Sequence, residues 1–90
     1  MELFKIKWKK SAQKELKKID KIQIPKIIVA IEKLSLDPYP PNHKKILGSK
    51  DIFRIKINNY RVIYSINNGE LIIEIIRVRH RKDVYININN

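Results

Sequence analysis

The hydrophobic period of this chain changes along its length, and each change predicts a different element. From Glu2 to Trp8, apolar residues alternate with lysine and glutamate, which predicts a half-buried strand. Ser11 then lies where the N-cap of a helix is expected, because apolar residues recur at helical spacing in the segment that follows it. A second helix is predicted to begin near Pro25, with an apolar stripe running from Ile27 to Leu34.

The second half of the chain predicts a loop followed by strands. The proline-rich segment from Asp37 to Asn42 cannot continue a helix and is expected to be a loop. Asn58-Asn59 and Asn67-Asn68-Gly69 tolerate turn conformations, so both should join the strands of hairpins. The predicted strands cover Ile52 to Ile57, Tyr60 to Ile66 and Leu71 to about Arg79, with a short extra strand around Lys45 to Leu47.

These elements predict one α+β domain over residues 1–90, in the order β-α-α-β-β-β. Two N-terminal helices are expected to pack on one face of a largely antiparallel sheet of three to four strands. Strand alternation then places Phe53, Tyr60 and Val78 toward the helices. Leu71, Ile73 and Ile75 are expected on the side opposite the helices, so partial cover of that side by the C-terminal tail or by a partner is expected. The face opposite the helices should carry the basic residues Arg54, Lys56, Arg61, Arg77 and Arg79.

Charge adds a functional expectation to this fold. The chain has 20 basic and 9 acidic residues, a net charge of +11 and a pI near 10.0, which favours a polyanionic partner, nucleic acid before an acidic protein. All five arginines lie between Arg54 and Arg81, whereas residues 1–33 contain ten lysines and no arginine. Because a guanidinium binds phosphate through a rigid two-pronged fork, this segregation predicts an anion site in the last third of the chain.

Several classes of protein are disfavoured by what the sequence lacks. The absence of cysteine excludes disulfides, thiolate zinc sites and cysteine nucleophiles, and two distant histidines do not favour a metal site. His43, in the proline-rich loop, is expected to be solvated. No apolar run approaches the roughly 20 residues of a membrane span, and no signal peptide is recognisable. We therefore expect a cytoplasmic protein that has no cofactor and no membrane association.

Two motifs resemble a known family. The strand Tyr60-Arg61-Val62-Ile63-Tyr64 and the ending His80-Arg81-Lys82-Asp83-Val84-Tyr85, together with the order of elements, are similar to the RelE/ParE superfamily of toxins over nearly the whole chain. The resemblance is strongest to its RelE branch, whose members are messenger-RNA endonucleases acting in the ribosomal A site and silenced by a co-expressed antitoxin. The resemblance therefore implies a type II toxin that binds the ribosome, messenger RNA and an acidic RelB-like antitoxin.

The same resemblance implies roles for individual residues. The lysine pair of the family matches Arg54 and Lys56, its strand arginine matches Arg61 and its second arginine best matches Arg81, although Arg79 could take that place. Its tyrosine matches Tyr85. Arg61 and Arg81 are then transition-state clamps, Tyr85 the general base, and Arg54 and Lys56 phosphate binders, with Lys56 a candidate acid. Further expected RNA or phosphate contacts are Arg77, Arg79, His80 and Lys82.

Structural explanations compete with these roles. Arg61 could be a cross-strand partner of Glu70 or Glu74, and Tyr85 could pack its ring on the core. The parity of His80 points toward the helix-covered side, which favours a structural role, although His80 and Lys56 remain alternatives to Tyr85 as the base. At the level of the whole protein, the alternatives are a non-enzymatic toxin of the ParE branch, which poisons DNA gyrase, and an inactive basic module that binds nucleic acid.

Overall fold

Seven elements make up the part of the chain that this computed structural model describes, residues 3–82. The strand order in the sheet is β1-β5-β4-β3-β2, and all neighbours are antiparallel except β1 and β5. The predicted α+β architecture is confirmed, with five strands instead of three to four. The elements are β1 (Lys5–Trp8), α1 (Lys10–Lys17), α2 (Ile24–Leu34), β2 (His43–Lys45), β3 (Ile52–Ile57), β4 (Tyr60–Asn67) and β5 (Ile72–His80).

The first helix begins earlier than predicted. The N-cap is Lys9, whose backbone is extended, and Ser11 lies inside the helix, so the prediction of a Ser11 cap is wrong. Lys9 donates its backbone N–H to the carbonyl of Ile75 at 3.0 Å, and its own carbonyl accepts the N–H of Gln13. The pairing of β1 with β5 thus runs directly into the first helical turn, which leaves no place for a capping serine. Glu2, at the start of the predicted strand, lies outside the described residues.

The second helix follows the sequence prediction. Pro25 occupies its first turn, where the missing N–H costs no hydrogen bond, and Ile27, Ile31 and Leu34 are buried against the sheet. Just beyond its end, Ser35 accepts the backbone N–H of Phe4 and donates its hydroxyl to the carbonyl of the same residue. These two bonds fasten the end of α2 to the residue before β1. Buried residues of both helices share one core with the strands, so both helices lie over one face of the sheet.

A β-bulge in β5 resolves the mismatch in the predicted strand parity. Ile63 pairs with Arg77 but the next residue, Tyr64, pairs with Ile75, so Ile76 is an extra residue. Strand alternation therefore reverses at this point. Ile73 and Ile75 are fully buried in the core beneath the helices, and the expectation that they lie on the basic side is wrong. The bulge allows Val78 to face the core as well, which keeps Arg77 and Arg79 on the opposite face.

The proline-rich loop is fixed by aromatic residues. The buried Tyr64 hydroxyl donates to the carbonyl of Pro38 at 2.8 Å, and burial, followed by the negative charge of Asp37, raises the pKa of Tyr64 well above its ordinary value. His43 places Nδ1 2.6 Å from the carbonyl of Pro40 and packs edge-on to the ring of Tyr39. His43 is half-buried and begins β2, so it is not a solvated loop residue, and the predicted short strand lies earlier than Lys45 to Leu47.

Candidate nucleic-acid interface

Three basic residues stand side by side across the sheet on the face opposite the helices. Lys56 of β3 pairs directly with Arg61 of β4, which pairs directly with Arg79 of β5. We call these three residues the basic row. Directly opposed like charges destabilise a sheet, since cross-strand side chains lie roughly 5 Å apart. Three such residues in line therefore lower the folding stability, and an anion bound among them would offset their mutual repulsion.

A second line of cross-strand neighbours runs parallel to the basic row. It contains Lys44 of β2, Arg54 of β3, Ile63 of β4 and Arg77 of β5. Between the two lines the surface is concave and forms a cleft of about 300 Å³. We call it the basic cleft, and its lining residues are Asn42, Lys44, Arg54, Lys56 and Arg61. Four cations around a space of this size suit a phosphate group and its sugar neighbours.

Arg61 is held rigidly at the edge of this cleft. Its side chain is almost fully buried, with 8% of the residue exposed. One terminal nitrogen, Nη1, donates to the carbonyls of Asn58 at 3.3 Å and Tyr60 at 3.1 Å. Asn58 itself has a φ of 54° in the β3–β4 turn and donates its amide to Gln23, just before α2. A fixed guanidinium loses little entropy on binding an anion, which suits the role of a clamp.

The alternative structural explanation of Arg61 does not match the register. Glu74 pairs with Ser65, which is four residues further along β4 than Arg61. Glu70 lies in the β4–β5 turn, where it forms hydrogen bonds with Asn67. The direct neighbours of Arg61 are both cations. Arg61 is therefore surrounded by positive charge and by backbone carbonyls, which partly compensate its own charge.

The carboxylate of Glu15 contacts the arginines of β5 at the edge of the sheet. Glu15 lies in α1, and its Oε2 is 2.5 Å from Nε of Arg79 and 3.7 Å from Nη1 of Arg77. Its Oε1 accepts the backbone N–H of Val78 at 3.0 Å. Here β1 has already ended, so the glutamate takes over the hydrogen bonding of the free β5 edge. Arg79 thus belongs to the basic row and to an ion pair with α1 at the same time.

The remaining predicted site residues lie at the end of β5. His80 packs edge-on to Tyr60, with ring centroids 5.6 Å apart, on the helix-covered side of the sheet, and its Nδ1 is 3.3 Å from the N–H of Lys82. Arg81 is exposed and pairs through its backbone with Asn59. The structure thus brings Arg54, Lys56 and Arg61 together with Arg79, and separates His80 from them. Tyr85 lies outside the described residues.

Three residues of this surface were not predicted from the sequence. Asn42 lines the basic cleft because its amide donates to the carbonyl of Lys56 at 2.9 Å, and Lys44 joins it from β2. The sequence gives no alternation that marks Lys44, because His43, Lys44 and Lys45 are all polar. Glu15 had a clearer signal, since it is the one carboxylate among the five lysines between Lys9 and Lys18.

Two further observations concern metals and membranes. Within residues 3–82, no three histidine or carboxylate side chains come close enough to hold a metal ion. Neither helix in this part of the chain is long and apolar enough to cross a membrane.

Comparison with known proteins gives matches over most of the chain. Residues 6–85 match the family model described as the ParE toxin of the type II toxin–antitoxin system parDE. A RelE-like toxin protein of Escherichia coli is 31% identical over 86 residues, which cover 91% of this chain and 90% of that protein.

Solved structures give the same result. The RelE–RelB complex of Pyrococcus horikoshii contains a chain similar to this one with a TM-score of 0.79 and 26% identity, covering 88% of this chain and 96% of that one. The RelB–RelE complex of Methanococcus jannaschii gives a TM-score of 0.74 and 27% identity, with coverage of 90% and 96%. Both structures are complexes of RelE with RelB, and the second is described as an antitoxin–toxin complex.

Proposed function

We propose that this chain, which belongs to the RelE/ParE superfamily of toxins from type II toxin–antitoxin systems, is an endoribonuclease that cleaves messenger RNA in the ribosomal A site. The observation that carries the proposal is the basic row: Arg61 is buried and fixed, and a cation lies directly opposite it on each neighbouring strand. The repulsion between these cations lowers the folding stability, and a bound polyanion would offset it.

The chemistry requires little from the protein beyond positioning and charge. The 2′-oxygen of RNA can attack the adjacent phosphorus, so the substrate supplies its own nucleophile. The protein must hold the attacking and leaving oxygens in line and neutralise the phosphorane that forms between them. In the proposed mechanism Arg61 and Arg81 clamp the phosphorane, while Arg54 and Lys56 bind the phosphate. Arg77, Arg79 and Lys82 extend this contact along the strand.

Two proton transfers complete the reaction. A base removes the 2′ proton, and an acid protonates the leaving 5′-oxygen. We assign the base to Tyr85 on its match to the tyrosine of the family; cations placed near a tyrosine favour its charged phenolate form. Lys56 is the candidate acid, since it belongs to the basic row and lines the cleft. His80 faces away from the row and is a weaker candidate for either transfer.

The partners follow from the same surface. We propose that the ribosome and messenger RNA are the polyanionic targets and that an acidic RelB-like antitoxin silences the toxin in the cytoplasm. The net charge of +11 supports this proposal, and so do the RelB chains present in two complexes of similar fold. Such an antitoxin would be expected to fold as it covers the basic surface.

A second candidate is a non-enzymatic toxin that binds DNA gyrase. The match of residues 6–85 to the ParE toxin model favours it. The ending Arg81-Lys82-Asp83-Val84-Tyr85 favours the nuclease, since that run is characteristic of the RelE branch. The two candidates differ in what stops growth: loss of messenger RNA for the nuclease and loss of supercoiling for the gyrase binder.

A substrate lacking one 2′-hydroxyl tests the proposed chemistry. Purified toxin is added to ribosomes programmed with a short messenger that carries either ribose or 2′-deoxyribose at the scissile nucleotide. The ribose messenger should be cut and should leave a 2′,3′-cyclic phosphate, whereas the deoxy messenger should stay intact although it binds almost equally well, because affinity comes mainly from phosphate contacts.

The matched control is a messenger with the deoxy substitution two nucleotides away, which should be cut normally. Equal cutting of all three messengers would overturn the 2′-oxygen mechanism, because it would point to water as the nucleophile. If none of them is cut and the toxin instead inhibits supercoiling by purified gyrase, the second candidate replaces the first.

A further inference from the structure

We infer that Glu15 is a positioning residue, which acts through Arg79 to fix the third cation of the basic row for contact with a phosphate of the RNA chain. This inference rests on the proposed function, because it names a further residue of the same site. Glu15 does not touch the substrate in this scheme. Its carboxylate binds Arg79 through Nε, which leaves the two terminal nitrogens of the guanidinium to serve as donors to an incoming phosphate.

The contacts of Glu15 show that its position is built. One carboxylate oxygen accepts the N–H of Val78 while the other contacts Nε of Arg79, so both oxygens have a defined partner on β5. The Glu15 side chain is only 17% exposed, and that of Arg79 is 25% exposed. Ion pairs that are well ordered and partly buried orient side chains far better than exposed pairs do.

The charge of Glu15 makes a purely electrostatic role unfavourable. A carboxylate next to Arg79 lowers the positive potential that attracts a polyanion, and the surrounding helix otherwise presents lysines. Hydrogen bonding to the β5 edge alone would not require a charge, because a glutamine could accept the same N–H. A negative charge kept at this point is explained if it holds the guanidinium in one orientation.

The location of Arg79 defines which phosphate it would meet. Arg79 is adjacent to Arg61 across the sheet, and at the edge of β5 it also lines a pocket of about 380 Å³ with Glu15 and Lys18 and with Tyr60 and His80 of the helix-covered side. Arg79 therefore stands at the edge of the sheet, where the basic face meets this pocket. A phosphodiester next to the one bound at Arg61 would pass over it. The ligand class is thus the backbone of a single RNA strand.

Substitution of Glu15 by glutamine separates positioning from general charge. Glu15→Gln and the control Glu74→Gln both raise the net charge from +11 to +12. Glu74 lies on the same face of the sheet as the basic row but at a distance from it, paired with Ser65. Glutamine can still accept the N–H of Val78, so the fold should be kept, and thermal unfolding checks this. Charge alone predicts slightly better cleavage of messenger on programmed ribosomes by both variants.

Positioning predicts opposite signs for the two variants. Glu15→Gln should lower kcat/KM roughly tenfold, and the slope of log affinity against log salt should fall by somewhat less than one. Glu74→Gln should leave cleavage unchanged or raise it slightly. If Glu15→Gln behaves like Glu74→Gln, or raises cleavage further because the carboxylate competes with phosphate for Arg79, the inference is overturned.

A double substitution tests whether Glu15 acts through Arg79. In an Arg79→Ala background, adding Glu15→Gln should cause no further loss, because the group that Glu15 orients is gone. A full further tenfold loss there would show a role independent of Arg79 and would contradict the inference. Arg61→Ala serves as the reference for the proposed function. If the wild type does not cut RNA, the proposed function fails; if the wild type cuts and Arg61→Ala does not, a wild-type-like Glu15→Gln defeats this inference alone.

Discussion

The two faces of the sheet are built from the same strands but differ in composition, since one is apolar and the other is basic. On the helix-covered face, Val62, Tyr64 and Ile75 are fully buried and pack with the helices into one apolar core. On the other face, Lys56, Arg61 and Arg79 stand next to one another with no carboxylate between them in the strand register. One face satisfies the requirements of folding and the other does not.

This difference indicates where function lies. Apolar burial contributes most of the favourable free energy of folding and needs only shape and volume. Like charges that oppose one another across strands disfavour folding, so the line of cations is explained by what it binds. Changes on the apolar face should therefore affect stability, and changes on the basic face should affect the binding and cleavage of RNA.

The largest effect is expected on the apolar face. Ile31 of α2 is 1% exposed, and Ile31→Ala should lower the free energy of unfolding by about 3 kcal/mol, because it removes buried methylenes and leaves a cavity. The control Val29→Ala, on the exposed side of the same helix, should cost less than about 0.5 kcal/mol. Denaturant titration measures both. At denaturant concentrations below its unfolding midpoint, the Ile31 variant should cut RNA normally. A large loss of cleavage by the folded variant would contradict the idea that the apolar face affects stability only.

The second effect concerns Arg61. Expressed alone, the wild-type toxin should halt translation and growth, and Arg61→Ala should relieve this because cleavage falls on the order of 10²-fold or more. Lys7→Ala is the control: it removes one charge from the same sheet face, in the line of Glu74 instead of the basic row. Growth and cleavage of ribosome-bound messenger are measured for each. Equal losses for the two variants would mean that net charge, and not the fixed guanidinium, is responsible.

A smaller effect is expected for Lys56. Lys56→Gln should weaken binding of single-stranded RNA by about tenfold at low salt and reduce the salt slope by about 0.7, the value for one phosphate contact to a single strand. Lys26→Gln, an exposed change on α2, should alter the slope much less. Fluorescence anisotropy at several salt concentrations gives both slopes. Identical slopes for the two variants would show a diffuse field without a defined contact at Lys56.

The smallest effect is expected at Tyr64. Tyr64→Phe should cost about 1 kcal/mol near neutral pH, because the carbonyl of Pro38 loses its hydrogen bond. Burial raises the pKa of Tyr64 above its ordinary value of about 10, so the neutral phenol is the form that the fold favours. Its contribution is therefore complete below about pH 10 and declines as the pH rises further. The stability difference between wild type and Tyr64→Phe, measured across this range, should shrink above pH 10; a constant difference would contradict the assignment.

The sequence alone determined most of the elements and the identity of the basic residues. Period-two and period-3.6 patterns are local properties, so β3 was predicted with its observed bounds, and the second helix and both hairpin turns were also located. The alternation of Arg54, Lys56 and Arg61 with apolar residues likewise identified the cationic face. These predictions hold because each depends on residues close together in the chain.

Tertiary structure decided what depends on distant residues. The bulge at Ile76 reverses the strand parity, and its position is set by pairing with β4 and not by any local signal. Ser11 lost its predicted capping role because the pairing of β1 with β5 continues to Lys9. Glu15 meets Arg79 across 64 residues of sequence, since α1 lies against the β5 edge where β1 ends. Local patterns fix the elements, whereas strand register and helix docking fix which side chains meet, because those contacts form only when the whole sheet is assembled.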